Sequence, residues 1–407
     1  MKKIGGGVCA PKGFQAGGIA CGIKASSKKR DLALIYSEKP CAAAAVFTTN
    51  RVKAASVLVS REHVARGVLR AVIVNSGNAN ACTGEAGLAA ARKMASLAAG
   101  RFNIDSRQVA VASTGVIGVP LPINVIERNI GALADSLRAD ETGHAAALEA
   151  IMTTDIRKKE GAVEIEIDGK SVRIGGMVKG SGMIHPNMAT MLCFITSDAV
   201  IPANVLDGCL RQAVRRSFNR LTVDGDTSTN DSVIIMANGE AGNSPIAAES
   251  ASCEIFAEAL EALCVDLARA TARDGEGATK LVTVTVSGAA DEDAAATLAR
   301  AVASSSLVKA ACFGADANWG RVLCAMGYSG ADFNPGEVDV VFASAGEEVQ
   351  VCAAGASLFF SEEDAKRILR AEEIEIRINA GKGPGKATVW GCDLSYDYVK
   401  INGDYRS

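Results

Sequence analysis

Aromatic side chains are scarce in this 407-residue sequence: two Trp, five Tyr and eleven Phe make up 4% of it. The interior must therefore be filled by aliphatic residues and by close approach of layers through Ala and the 41 Gly. A charge excess is also lacking, since 43 Lys and Arg face 46 Asp and Glu for a net charge of −3. That balance removes the electrostatic case for nucleic acid or an anionic membrane surface. No apolar run approaches the ~20 residues of a membrane span. The opening MKKIGGGVCAPKGF carries lysines but no apolar core, so a secretory signal is not expected. Paired CxxC motifs are missing and the three histidines, His63, His144 and His185, are dispersed, which argues against zinc. The twelve cysteines read as scattered buried thiols, Cys193 and Cys324 among them, suited to a reducing cytoplasm. The basic run from Lys24 to Arg30 reads as a solvated loop.

Apolar residues supply 48% of the chain, ample for a large core, and the length predicts two lobes or one large layered domain. Strands are expected at Asp31–Ser37, Ala43–Thr49, Leu69–Asn75, Val109–Ser113, Met191–Thr196, Ser232–Ala237, Leu281–Ser287 and Val338–Ala343. Helical spacing runs through Ile126, Ile130, Leu133 and Leu137, through Leu206, Leu210 and Val214, and through Phe256, Leu260, Leu263 and Leu267. Val163–Ile174 alternates about Asp168-Gly169, a hairpin turn pair. Hairpins mixed with helices, without regular phosphate-binding βαβ units, predict α+β layers.

The most informative stretch is KGSGMIHPNMATMLCFITSDA, Lys179 to Ala199. A glycine-rich polar segment breaks at Pro186-Asn187, and an apolar strand begins at Met191. Thr190 stands at the junction, where a rigid strand would fix a reactive side chain. A threonine hydroxyl is a weak nucleophile without a base. Cutting the Ala189–Thr190 bond would give Thr190 an α-amine of its own, titrating near ~8. From the residues alone, a threonine that simply opens a buried strand is the preferred reading of the pattern. The run Asp224, Asp226, Ser228, Asn230 has the early spacing of a calcium loop, but Thr229 replaces the required Gly and Ile235 the final acid. It reads as a polar loop near a pocket, with Asn75–Asn80 as a supporting turn, and no metal is expected.

GMIHPNMATML closely resembles the self-processing site of the ornithine acetyltransferase (glutamate N-acetyltransferase) family of arginine biosynthesis. The resemblance runs nearly end to end through VNSGNANACTG at Val74–Gly84, STGVIG at Ser113–Gly118, MTTD at Met152–Asp155, VDGDTSTNDS at Val223–Ser232, ARDGEGATK at Ala272–Lys280, GADANWGR at Gly314–Arg321 and the closing YVKINGDYRS. It implies a layered α/β/β/α-type sandwich with a smaller C-terminal α/β lobe. It further implies self-cleavage between Ala189 and Thr190 into an α chain, residues 1–189, and a β chain, residues 190–407, assembled as a heterotetramer in the cytoplasm. Thr190 is then the nucleophile and its α-amine the base. Thr114 and Gly115 match the oxyanion hole, and Thr153, Lys179, Thr190, Glu276, Asn402 and Ser407 match substrate contacts. Thr154 is an alternative to its neighbour Thr153, and Asp155 reads as a structural turn or cap. The implied reaction moves acetyl from N2-acetylornithine to glutamate by ping-pong through acetyl-Thr190, with no cofactor. Acetyl-CoA is a second donor in some members, and the motifs do not separate the two kinds. The competing expectation is a self-activating amidohydrolase or aminopeptidase using the same Thr190.

Overall fold

A computed structural model describes residues 1–24, 28–185 and 191–404. Among these, nine strands make one sheet: β1 (Lys2–Ile4), β2 (Phe14–Ile19), β3 (Leu32–Phe47), β4 (Val68–Asn78), β5 (Val109–Val116), β6 (Glu160–Ile167), β7 (Lys170–Lys179), β8 (Leu192–Ser197) and β9 (Ser232–Ala237). Their order is β1-β6-β7-β8-β9-β3-β4-β5, with β2 added against β3. Six helices accompany them: α1 (Ala55–Val64), α2 (Gly84–Phe102), α3 (Ile123–Asp135), α4 (Glu141–Ile151), α5 (Ala203–Arg216) and α6 (Ala251–Arg273).

Strand alternation sorts the apolar residues into layers. Along β8, Cys193 and Ile195 pack with α5 and α6, while Leu192 and Phe194 face the other way. Along β4 and β5, Ala71, Ile73, Val109 and Val111 meet α2 and α3, whereas Val72, Val74, Ala110 and Ala112 join Leu192 and Phe194. The sheet is thus doubled over a shared inner core, with helices outside each half. This is the expected α+β sandwich.

The fold-over depends on β3. Two strands were expected at 31–37 and 43–49, but the chain forms one of 16 residues, exposed and shifted in register between Tyr36 and Cys41. Its first half pairs with β2 and its second with β9, so a single strand serves both halves. Proline at position 40 sits in that interruption, where a missing N–H costs nothing. The hairpin at Asp168-Gly169 forms as expected, both residues having positive φ (50° and 72°). Two helix-linked parallel pairs share the sheet, β8/β9 beside that hairpin and β4/β5 at the far edge.

The C-terminal lobe has its own core and a six-stranded sheet. Its strands are β10 (Leu281–Ala289), β11 (Asp339–Ser344), β12 (Glu347–Ala353), β13 (Ala356–Ser357), β14 (Glu373–Asn379) and β15 (Gly385–Cys392). Packed with them are α7 (Glu292–Ser304), α8 (Ser306–Gly314), α9 (Trp319–Gly327) and α10 (Glu362–Leu369), and α11 (Tyr396–Asp404) follows. One expected buried thiol is misplaced. Cys324 is exposed on α9, because Val322, Ala325 and Met326 take the core side of that helix. No described helix is long and apolar enough to cross a membrane.

Phe194 is among the largest fully buried side chains and fills the inner layer. Phe194→Ala should cost about 3–5 kcal/mol, read as a lower urea midpoint with an unchanged slope. An unchanged midpoint would contradict the doubled-sheet core.

Candidate active site

The two sheet halves meet the C-terminal lobe at a cleft of about 80 Å³. Thr114, Gly115, Thr153, Lys179, Glu276 and Asn402 all line it, together with Thr154 and the loop residues Ser228, Thr229 and Asn230. Six expected site residues from five separate stretches therefore converge. Ala189, Thr190 and Ser407 lie outside the described residues. Met191 is described and buried, and its N–H donates to Asp231 Oδ1 at 3.0 Å.

Thr114 and Gly115 end β5, beside a bulge where Asn78 pairs irregularly with Thr114 and Val116. Gly115 has φ +134°, and a Cβ there would stand 2.3 Å from the Gly77 carbonyl carbon. Only glycine fits, which leaves its backbone open to the cleft. Asn230 braces this corner by donating to the carbonyls of Ala79 and Ser113, both at 2.7 Å. The polar loop and residues 75–80 meet beside the cleft, but Asn75–Asn78 continue β4 instead of forming the expected turn. Asp224, rejected as a calcium ligand, accepts N–H bonds from Met183 and Ile184 instead.

Lys179 ends β7 and is 3% exposed, not a residue of a surface loop. Its Nζ lies 3.4 Å from Thr114 Oγ1. Burial pulls its ammonium below the usual lysine range, opposed by Asp155, Glu276 and Asp231. Asp155 is more than a turn residue. It accepts the N–H of Gly180 (2.7 Å) and of Thr153 (2.9 Å), and Lys159 Nζ reaches it at 2.6 Å. Lys159 Nζ also reaches Asp274 at 2.5 Å, with all three side chains shut from solvent. Burial would raise the Asp155 carboxyl, but Lys179 and Lys159 hold it well below the usual range. Sequence reasoning missed Lys159 and Asp274, since their pairing spans 115 residues.

Glu276 faces the cleft from the loop after α6, its N–H bonded to the Ser181 carbonyl at 2.8 Å. Asn402, on α11, donates to Glu276 Oε2 at 2.9 Å. Lys24, expected in a solvated loop, is half buried and donates to the Met152 carbonyl at 2.8 Å, and burial lowers it to about 8. A larger groove of about 820 Å³ lies between α5 and α6 over Cys209 and Cys253, but it holds none of the expected residues. Chemistry, not size, selects the smaller cleft.

The family model that matches, described as ArgJ family, covers residues 15–407. The chain belongs to the ArgJ family. The arginine biosynthesis bifunctional protein of Symbiobacterium thermophilum is 54% identical over 408 residues, all of both chains. A crystal structure of the Bacillus halodurans ArgJ protein is 45% identical, with a TM-score of 0.50, and covers 52% of this chain and 98% of that one. The Mycobacterium tuberculosis ornithine acetyltransferase, solved with ornithine, is 40% identical, with a TM-score of 0.42, and covers 46% of this chain and 96% of that one. With ArgJ membership stands the expected enzyme class, an acyltransferase of arginine biosynthesis.

Lys159→Met would leave Asp155 and Asp274 buried without their ammonium, a loss of about 3–5 kcal/mol. Lowered acids such as Asp155 stabilise the fold above their unfolded pKa of ~3.9 and lose that contribution as pH falls. The deficit in urea unfolding should therefore be full at neutral pH and shrink below about pH 4. A deficit that does not vary with pH would contradict the assignment.

Proposed function

We propose that the chain cuts itself between Ala189 and Thr190 and then carries acetyl from N2-acetylornithine to glutamate on Thr190. The observation that carries this reading is the convergence of Thr114, Gly115, Lys179, Glu276 and Asn402 on one small cleft. Met191, covalently next to Thr190, is anchored where β8 begins, and Leu192 pairs with Lys179 in the β7/β8 ladder. The proposed α and β chains, residues 1–189 and 190–407, would stay associated, because β7 and β8 are neighbours in one sheet. The Bacillus halodurans chain matches over 98% of its own length but 52% of this one, as a single cleaved piece would.

In the first half-reaction the Thr190 hydroxyl attacks the acetyl carbonyl while its α-amine takes the proton. Negative charge builds on the carbonyl oxygen. The Thr114 hydroxyl and Gly115 N–H are the proposed donors, each oxyanion contact being worth about 3–4 kcal/mol. Lys179 sits beside Thr114 and adds positive charge there or pairs with a substrate carboxylate. Glu276 offers a carboxylate to the substrate's ammonium, steadied by Asn402. Ornithine leaves, glutamate enters, and the steps run in reverse to give N-acetylglutamate. The scheme needs no cofactor. Acetyl-CoA is included as a second donor, a reading supported by the bifunctional name of the curated relatives.

Wild-type protein should run as two bands on a denaturing gel, whereas Thr190→Ala should stay as one band near 41.9 kDa. Incubation with N2-acetylornithine should add one acetyl group to the piece starting at Thr190, discharged far faster with glutamate than with buffer. Equal discharge would indicate a hydrolase, and active protein that remains uncut would overturn the reading.

A further inference from the structure

Three charged side chains are buried where the C-terminal lobe joins the sandwich, and none has a part in the acetyl transfer: Lys280, Lys309 and Asp393. Two chain segments cross at this joint, the loop from α6 to β10 and residues 393–395 from β15 to α11. Asp393 ties them together. Its Oδ1 accepts the N–H of Thr279 at 2.8 Å and of Lys280 at 3.0 Å, and its Oδ2 accepts the Thr279 hydroxyl. Lys309 on α8 brackets the acid, its Nζ donating to the Cys392 carbonyl and its own carbonyl accepting the Leu394 N–H at 3.3 Å. Lys280 Nζ reaches the carbonyls of Cys312 (2.5 Å) and Phe313 (3.3 Å) in the last turn of α8, the negative end of that helix.

The tied loop carries Glu276. Glycines on both sides of it lie against the segment that begins at Cys392: a Cβ on Gly275 would stand 2.7 Å from Cys392 Sγ, and one on Gly277 2.5 Å from the Tyr398 nitrogen. Gly277 also has φ +69°, a conformation that other residues adopt only at a cost. Ser395 adds a second tie, its hydroxyl donating to the Gly277 carbonyl at 2.5 Å and accepting the Asp397 N–H at 3.2 Å. Asn402, the hydrogen-bond partner of the Glu276 carboxylate, belongs to the helix that this same segment starts. Both members of the Glu276–Asn402 pair thus take their places from residues 392–398. A misplacement of about 1 Å at such a site can cost on the order of 100-fold.

We propose that Asp393, with Ser395, is a positioning residue that holds Glu276 against the side-chain ammonium of N2-acetylornithine and so selects donors with a cationic side chain. The inference rests on the reading of Glu276 as a substrate contact. In N2-acetylornithine the α-nitrogen is an uncharged amide, which leaves the side-chain ammonium as the only cation. A carboxylate held still beside it gains a charge-assisted hydrogen bond. Asp393 itself touches no substrate: it does not line the cleft, and its carboxylate is spent on Thr279 and Lys280.

Donor preference reads this role. N2-acetylornithine and N-acetylnorvaline, the same chain without the ammonium, would be compared by kcat/KM in transfer to glutamate, with thermal unfolding confirming that each variant folds. Wild type should favour acetylornithine by about 10- to 100-fold. Asp393→Ala should bring the two donors within about three-fold of each other by raising KM for acetylornithine, with kcat and the acetylnorvaline rate little changed. Asp393→Asn, whose amide oxygen still accepts both N–H groups, should keep most of the preference. An Asp393→Ala ratio equal to wild type, or an equal loss on both donors, would overturn the proposal. If that variant does not fold, Ser395→Ala is read instead: a ratio lowered by about three-fold or more is expected, and an unchanged one overturns it. A wild type indifferent to the ammonium strikes the reading of Glu276; a preference that Glu276→Gln abolishes but Asp393→Ala keeps strikes only the role of Asp393.

Discussion

Stripping an ammonium of water costs several kcal/mol, and Lys179 is almost wholly buried. The cleft is organised around meeting that cost. Asp155 lowers it, and by binding Gly180 N–H it also fixes the chain immediately after Lys179. The other Asp155 oxygen holds Thr153, so two cleft residues take their places from one carboxylate. Lys159 carries the network to Asp274, two residues before Glu276. A positive centre and a negative one thereby line one small space, which suits substrates carrying both a carboxylate and an ammonium.

The doubled sheet makes that arrangement possible. Thr114 and Gly115 belong to the β2–β5 half and Lys179 to the β6–β9 half, and only the bend in β3 brings the strand ends together. Small residues permit the close approach. A Cβ on Gly175 would fall 1.8 Å from the Gly7 carbonyl oxygen, and one on Gly182 would meet the Glu276 carboxyl at 2.3 Å. The scarcity of aromatics and the wealth of glycine thus have a structural purpose.

Much of this was legible in the sequence, unevenly and for physical reasons. Strands such as Ser232–Ala237 show directly, because β-branched runs bounded by polar turns have few other uses. The amphipathic stripes of α3, α5 and α6 are equally plain. The continuity of β3 is hidden, since an exposed Glu-Lys-Pro looks like a turn whether or not the strand resumes in the same sheet. Resemblance located Thr114, Gly115, Lys179, Glu276 and Asn402, but nothing local distinguishes a buried Lys159 from a solvated one. Its partner Asp274 is fixed only by the tertiary fold.

The size of the cleft bears on which chemistry it suits. The cleft holds about 80 Å³, whereas the groove between α5 and α6 has about ten times the space. An acyl ester that must wait for a second amino acid survives only if water is scarce around it, and confinement also strengthens every charge aimed at the reacting carbonyl. A small, charged cleft of this kind supports the proposed transfer over hydrolysis, because scarce water competes poorly with a second amino acid.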